Sequence, residues 1–173
     1  TVFDSDLLLE IMDQLGDQLK PMTHPDKLKD LPGILTAVDG TLLKAVPKIT
    51  WALWRDDQHK AIKNHVHFEV LKGVPVKATI TEGHGSEKDV LEANLQAGRI
   101  YVLDRGYAKY RLLQAILDRA SSFVCRIQDN AVVAEVIEDR LLSPDAQEAG
   151  VVRDRVVRLG SRPRSQDLAG PVR

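Results

Sequence analysis

Residues 99–111 read RIYVLDRGYAKYR, and the fold turns on how this stretch is read. Ile100–Leu103 is a short apolar run, too short for a helix and without alternation, so it reads as a strand covered on both faces. The run stops at a carboxylate, Asp104, followed by Arg105, Gly106 and Tyr107. YAKYRLLQAILDRA (107–120) then has Leu112, Leu113, Ile116, Leu117 and Ala120 on one side of a predicted amphipathic helix. SFVCRI (122–127) is a second strand. Upstream, SEKDVLEANLQAG (86–98) reads as a helix, with Ser86 and Asp89 in a capping-box pattern and Gly98 just past its end.

Working outward, HVHFEVLKGVPVKATIT (65–81) alternates with period two on both sides of Lys72-Gly73, which predicts a β-hairpin. Its Val66, Phe68 and Val70 are expected on the covered face, and His65, His67 and Glu69 on the polar one. ILTAVDG (34–40) is another buried-type strand, closed by Asp39-Gly40. DSDLLLEIMDQLGDQLK (4–20) is a helix with Leu8, Ile11, Met12, Leu15 and Leu19 on one face, stopped by Pro21 and Pro25. Residues 42–64 give no clear period; Trp51 and Trp54 are expected to anchor packing, with Arg55, Lys60 and Lys63 in water. From Ala131 short β-branched runs and loop breaks start a β-rich segment. The order of elements predicts an α/β fold: a mixed sheet, antiparallel hairpin plus parallel strands, with flanking helices. The expected divisions are 1–33 (helix and linker), 34–130 (core) and 131–173 (β-rich segment).

The 173 residues are 43% hydrophobic, enough for one real core, and the net charge of -1 gives no global basic signature. Residues 1–31 carry seven acids against three lysines, whereas 151–173 carry six arginines against Asp154 and Asp167. One cysteine, Cys125, excludes an internal disulfide and fits a reducing compartment. No apolar run reaches the roughly 18 residues of a membrane span. The chain starts at Thr1 and ends in AGPVR, from which a segment of a longer protein is expected.

Asp39 and Asp104 share a local grammar: an apolar strand, Asp, then a glycine one or two residues on. Ordinary turn chemistry accounts for one such Asp. Two in matching places also fit a site, because ligands of open α/β sheets bind outside the carboxyl ends of strands. Carboxylates held close repel each other, and a divalent cation relieves the repulsion. Their oxygens suit Mg²⁺ or Mn²⁺, the equipment of phosphodiester chemistry with two metals about 3.5–4 Å apart. The pattern alone leaves both readings open.

AVDGT (37–41), GRIYVLDRGYAKYRLLQAIL (98–117) and SSFVCRIQDN (121–130) together resemble the DDE-type transposases of bacterial insertion sequences. The similar group is the large one with an RNase H-like catalytic domain and a Tyr-Arg-Glu-Lys third motif. The likeness covers about residues 34–160, and VVRDRVVRLGS (151–161) resembles the start of that group's β-rich insertion. The resemblance implies an RNase H-like fold, with Asp39 and Asp104 as catalytic, metal-binding carboxylates for Mg²⁺ or Mn²⁺. It puts Arg126 near the DNA backbone, with Arg105 and Lys109 as secondary phosphate contacts. It implies DNA transposition, with double-stranded DNA (element ends and target) and a second copy in a homodimer as partners, in the bacterial cytoplasm.

The family's third carboxylate lies in Tyr-x2-Arg-x3-Glu-x6-Lys, and the chain lacks that motif. Three residues after Tyr101, Tyr107 and Tyr110 stand Asp104, Tyr110 and Leu113, and Glu135 and Glu138 have a different context. The resemblance therefore implies the front part of a transposase, with weak metal binding and slight or no cleavage alone. The alternatives are an inactive remnant that binds DNA or a full-length partner, and a stand-alone RNase H-like nuclease with an unrecognised third carboxylate.

Other candidates read as structural. His65, His67 and Glu69 lack the further ligand that a metal site needs. His84 sits between glycines in a solvent-facing loop, and Asp56-Asp57 reads as solvated. Cys125 reads as an inert buried thiol. No Gly-x4-Gly-Lys-Ser/Thr phosphate loop is present. The arginines of 151–164 fit either a DNA grip or a solvated face.

Overall fold

In the computed structural model, residues 5–22, 28, 31–44, 50–52, 60–160 and 168–173 are described. Helix α1 (Ser5–Gln18) leads to strand β1 (Ile34–Lys44) and the hairpin β2 (Ala61–Glu69) and β3 (Val74–Glu82). Helix α2 (Glu87–Ala93), strand β4 (Arg99–Leu103), helix α3 (Tyr110–Asp118) and strand β5 (Ser122–Cys125) follow. Strands β6 (Val133–Arg140) and β7 (Asp154–Leu159), with helix α4 (Pro144–Glu148) between them, form a separate two-stranded sheet.

The main sheet has the order β3-β2-β1-β4-β5. β1 is antiparallel to β2 and β2 to β3, while β1, β4 and β5 run parallel. This is the mixed sheet, antiparallel hairpin plus parallel strands with flanking helices, that the order of elements implied. Pro75 is tolerated because β3 is an edge strand, where a missing ladder donor costs little.

The helices form where the signals lay, but shorter. Ser86 caps α2 by accepting the Asp89 N–H, and the helix ends at Asn94. Gly98 is therefore not its terminal glycine: its φ of +74° makes the left-handed step into β4, where its carbonyl accepts the Ile34 N–H at 2.9 Å. The stretch after Asp104 first makes a 3-10 turn, Arg105–Tyr107, and α3 starts only at Tyr110. Leu112, Leu113 and Ile116 of α3 pack with Leu91 and Leu95 against Val38, Tyr101 and Leu103. Each such side chain stabilises the fold by about 1.5–3 kcal/mol through burial. Leu159 and Leu168 join the same cluster, so the β-rich segment shares the core.

Four expectations are corrected. Asp39-Gly40 does not close a strand, since β1 runs on to Lys44 with Asp39 opposite Val66. The hairpin has the predicted period but the opposite face is buried: His65, His67 and Glu69 are inside, whereas Val66 and Phe68 are half-buried. Cross-strand partners share a face, and Val38↔His67 and Thr36↔Glu69 put the polar residues of β2 with the core residues of β1. Trp51 is 55% exposed and anchors nothing, while Trp54, Arg55, Asp56 and Asp57 lie outside the described residues. The leucines of α1 stay exposed; the helix meets β3 through Gly16, which lies against Val76 and whose carbonyl accepts a hydrogen bond from Lys72 Nζ at 3.0 Å.

The buried polar face of β2 is partly paired, His65 Nδ1 having no partner among the described residues. His65 Nε2 and Thr81 Oγ1 share a hydrogen bond at 2.9 Å, and Glu69 lies 3.5 Å from Lys72 and 4.0 Å from Arg99. His67 packs edge-on against Tyr101, with ring centroids 6.1 Å apart. Burial, then the charges of Arg99, Lys77 and His65, push the His67 pKa from 6.5 down to about 4. Between these values the unfolded chain binds a proton that the folded chain does not, so stability rises with pH across this window. We expect the unfolding free energy to fall by up to about 1.4 kcal/mol per pH unit from His67 alone as pH is lowered from 6.5 toward 4. Urea titrations of the wild type and His67→Leu check this, and the variant should show the shallower slope.

Candidate functional site

The parallel pairing of β1 with β4 runs from Ile34↔Arg99 to Ala37↔Val102 and stops. Asp39 and Asp104 each stand two residues beyond that last pair. Alternation puts each on the same face as the residue two before it, so a register carried on would set the two carboxylates side by side. Both residues are exposed. β1 continues along β2, while β4 ends and turns away at Asp104. The pair therefore sits where two parallel strands part.

Each carboxylate is held by the glycine after it. The Gly40 N–H donates to Asp39 Oδ1 at 2.8 Å, and the Gly106 N–H donates to Asp104 Oδ1 at 2.8 Å. Asp104 thereby caps the 3-10 turn, which carries Tyr107 back into the core. These bonds orient one oxygen of each side chain and leave the second for other partners.

A third carboxylate comes close. Glu87, the first residue of α2, lies over Gly40, where an added Cβ would meet its Cγ and Cδ at 2.9 Å. It pairs with Lys63 at 3.2 Å, so Lys63 is not the water-facing lysine expected from the sequence. Tyr107 is 1% exposed, and its hydroxyl has no hydrogen-bond partner among the described residues. Burial, then the charges of Glu87, Asp39 and Asp104, push its pKa well above the usual tyrosine range. The hydroxyl is thus buried, protonated and without a partner among the described residues. The helix cap of SEKD masked Glu87 in the sequence, and nothing there distinguished Tyr107 from a packing residue.

The remaining candidates divide. Arg126 is exposed, and its backbone N–H donates to Leu103 O at 3.3 Å, which brings it to the edge where Asp104 stands. Lys109 is exposed at the start of α3. Arg105 is engaged elsewhere, in a two-pronged pair with Asp129 at 2.9 and 3.1 Å. Lys88, which sequence reasoning passed over, donates to Gly106 O at 3.2 Å. Cys125 is half-buried beside the Asp104 carbonyl, and burial, then the Asp104 charge, push its thiol pKa up, which suits an inert thiol. Glu135, Glu138, Asp139 and Asp154 pair with Arg158, Arg140, Arg155 and Arg173. Those acids and arginines brace the β6–β7 hairpin and its surroundings.

The contact of Glu87 with Gly40 gives a direct test. Gly40→Ala meets only the flexible end of the Glu87 side chain and should cost at most about 1 kcal/mol, through displacement of the Glu87–Lys63 pair. On a Glu87→Ala background the same change should be neutral or stabilising by up to about 1 kcal/mol. A double-mutant cycle by denaturant unfolding checks the coupling.

Comparison with known proteins adds the family. The model described as "Transposase DDE domain" matches residues 31–167. Nothing among the curated proteins matches. Among solved structures, a cryo-EM structure of the piggyBac transposase synaptic complex with hairpin DNA is similar at 13% identity and a TM-score of 0.40. That match covers 58% of this chain and 24% of the piggyBac chain, so the present chain spans a minor part of its length. With the family model matching well over half of its residues, this chain belongs to the transposase DDE domain family.

Proposed function

We propose that this chain is the front part of a transposase catalytic domain, in which Asp39 and Asp104 hold a divalent cation against the phosphodiester that is cut or joined. The observation that carries the reading is the matched position of the two aspartates, each two residues past the last β1–β4 pair. Among the described residues no group of three or more His, Cys, Asp and Glu stands ready to hold a metal ion. Two carboxylates still fit Mg²⁺ or Mn²⁺, because Mg²⁺ commonly takes one or two carboxylates and completes its shell with waters and substrate phosphate oxygens. The pair alone should bind weakly and gain affinity with DNA present.

When bound, the cation supplies Lewis-acid activation of the nucleophile and neutralises charge on the phosphate, and a two-metal arrangement does this for both attacking and leaving oxygens. The chain supplies the rest. Gly40 and Gly106 fix one oxygen of each carboxylate, which leaves the other to bind. Arg126 and Lys109, both exposed, are the candidates for contact with DNA phosphates in this reading. Arg105, paired with Asp129 at the surface, is a further candidate for phosphate contact. The substrates in this reading are element ends and target DNA, and the working protein is a homodimer. The chain lacks the third carboxylate of Tyr-x2-Arg-x3-Glu-x6-Lys, so alone it should cleave slightly or not at all.

The coding sequence beyond codon 173 tests the reading first. An in-frame Tyr-x2-Arg-x3-Glu-x6-Lys supports a working transposase, while an earlier stop leaves a non-cleaving remnant. In a protein that contains the third motif, Asp104→Asn should lower Mg²⁺-dependent strand cleavage at least about a hundredfold with little change in DNA affinity. Gel assays of nicking and of DNA binding check both halves.

A further inference from the structure

We propose that Lys88 is a positioning residue of the cation site: its ammonium holds Gly106 in the place from which the Gly106 N–H orients Asp104. The proposal rests on the metal reading given above. Three observations carry it. Lys88 Nζ donates to Gly106 O at 3.2 Å, and the Gly106 N–H donates to Asp104 Oδ1 at 2.8 Å, so a single residue links the lysine to the carboxylate. Asp104 and Gly106 are exposed and lie beyond the last β4–β5 pair, Leu103↔Cys125, where a short 3-10 turn has few bonds of its own to fix it. Lys88 is half-buried on α2, and that helix is held firmly by the Ser86 cap and the buried Leu91.

Lys88 and its neighbour reach the two loops one after the other. Glu87 lies against Gly40, whose N–H holds Asp39 Oδ1, and Lys88 holds Gly106, whose N–H holds Asp104 Oδ1. Lys63 of β2 anchors Glu87 at 3.2 Å. Consecutive residues of one helix thus meet the glycine beside each aspartate, and a rigid piece of backbone sets where the two carboxylates stand. Groups that hold metal ligands in place typically change metal affinity about 10–100-fold. The charge of Lys88 works in the other direction. It repels a cation, so loss of the charge alone would tighten metal binding. Position and charge therefore predict opposite signs. Position is the larger effect here, because the ammonium is spent on a carbonyl and solvent screens its charge.

The test uses the ¹⁵N-labelled 173-residue chain and Mn²⁺ alone. The Mn²⁺ concentration that halves the Gly40 amide peak reports binding from the loop that Lys88 does not touch. Lys88→Met, Lys88→Arg and Asp104→Asn are compared with the wild type. We expect Lys88→Met to raise that concentration about tenfold and to shift the Gly106 amide before any metal is added. Lys88→Arg keeps both the donor and the charge, and should stay within about twofold of the wild type. Wild-type or tighter binding in Lys88→Met, alongside weakened binding in Asp104→Asn, would overturn the role of Lys88 and leave the metal reading standing. Equal weakening in Lys88→Met and Lys88→Arg would overturn that role as well. No broadening of Gly40 in the wild type, or equal broadening in Asp104→Asn, would overturn both. Should Lys88→Met fail to fold, Lys88→Gln replaces it, with the same expected and contrary results.

Discussion

The parallel pairing of β1 with β4 is the constraint on which the rest depends. It ties residues 34–37 to residues 99–102 across a long stretch of chain. At its end, where β4 stops and β1 continues, Asp39 and Asp104 each stand two residues past the last pair, although they lie far apart in sequence. At a strand spacing of about 4.8 Å, two unit charges repel by roughly 1 kcal/mol in water and roughly 3–4 kcal/mol at an effective dielectric of 20. Exposure keeps Asp39 and Asp104 near the lower figure. The fold can thus carry the pair at small cost, and a cation at the same place gains from both charges.

The pairing is itself held from one side. Helix α3 buries Leu112, Leu113 and Ile116 on the sheet, and α2 adds Leu91. The same packing brings the first residue of α2, Glu87, over Gly40, and turns Tyr107 inward beneath Asp104. The core and the proposed site are therefore one construction. The segment that supplies the deepest apolar contacts also delivers the groups around the carboxylates.

Much of this was legible in the sequence. Strand, Asp and amphipathic helix could be read from 99–117, because period and length there are unambiguous, and the mixed sheet followed from the order of elements. The hairpin at Gly73 was equally plain. Burial was harder wherever polar side chains are paired inside. His65, His67 and Glu69 look like a wet face, yet inside they meet Thr81, Tyr101, Lys72 and Arg99, all but Lys72 from other elements. Asp39-Gly40 reads as the end of a strand because the dipeptide is common in turns, whereas its pairing with β2 is a long-range fact. Glu87 was invisible beside the site for the same reason: Gly40 and Lys63, which it meets, come from other elements.

The central claim is that Asp39 and Asp104 share one cation. Amide line broadening by sub-stoichiometric Mn²⁺ in the ¹⁵N-labelled chain tests it most directly. The account predicts that Gly40 and Gly106 broaden together at the lowest Mn²⁺ addition, while Gly73 and Gly98, away from the pair, stay sharp. Broadening of only one of the two glycines, or broadening spread over the acidic surface before either, would contradict it.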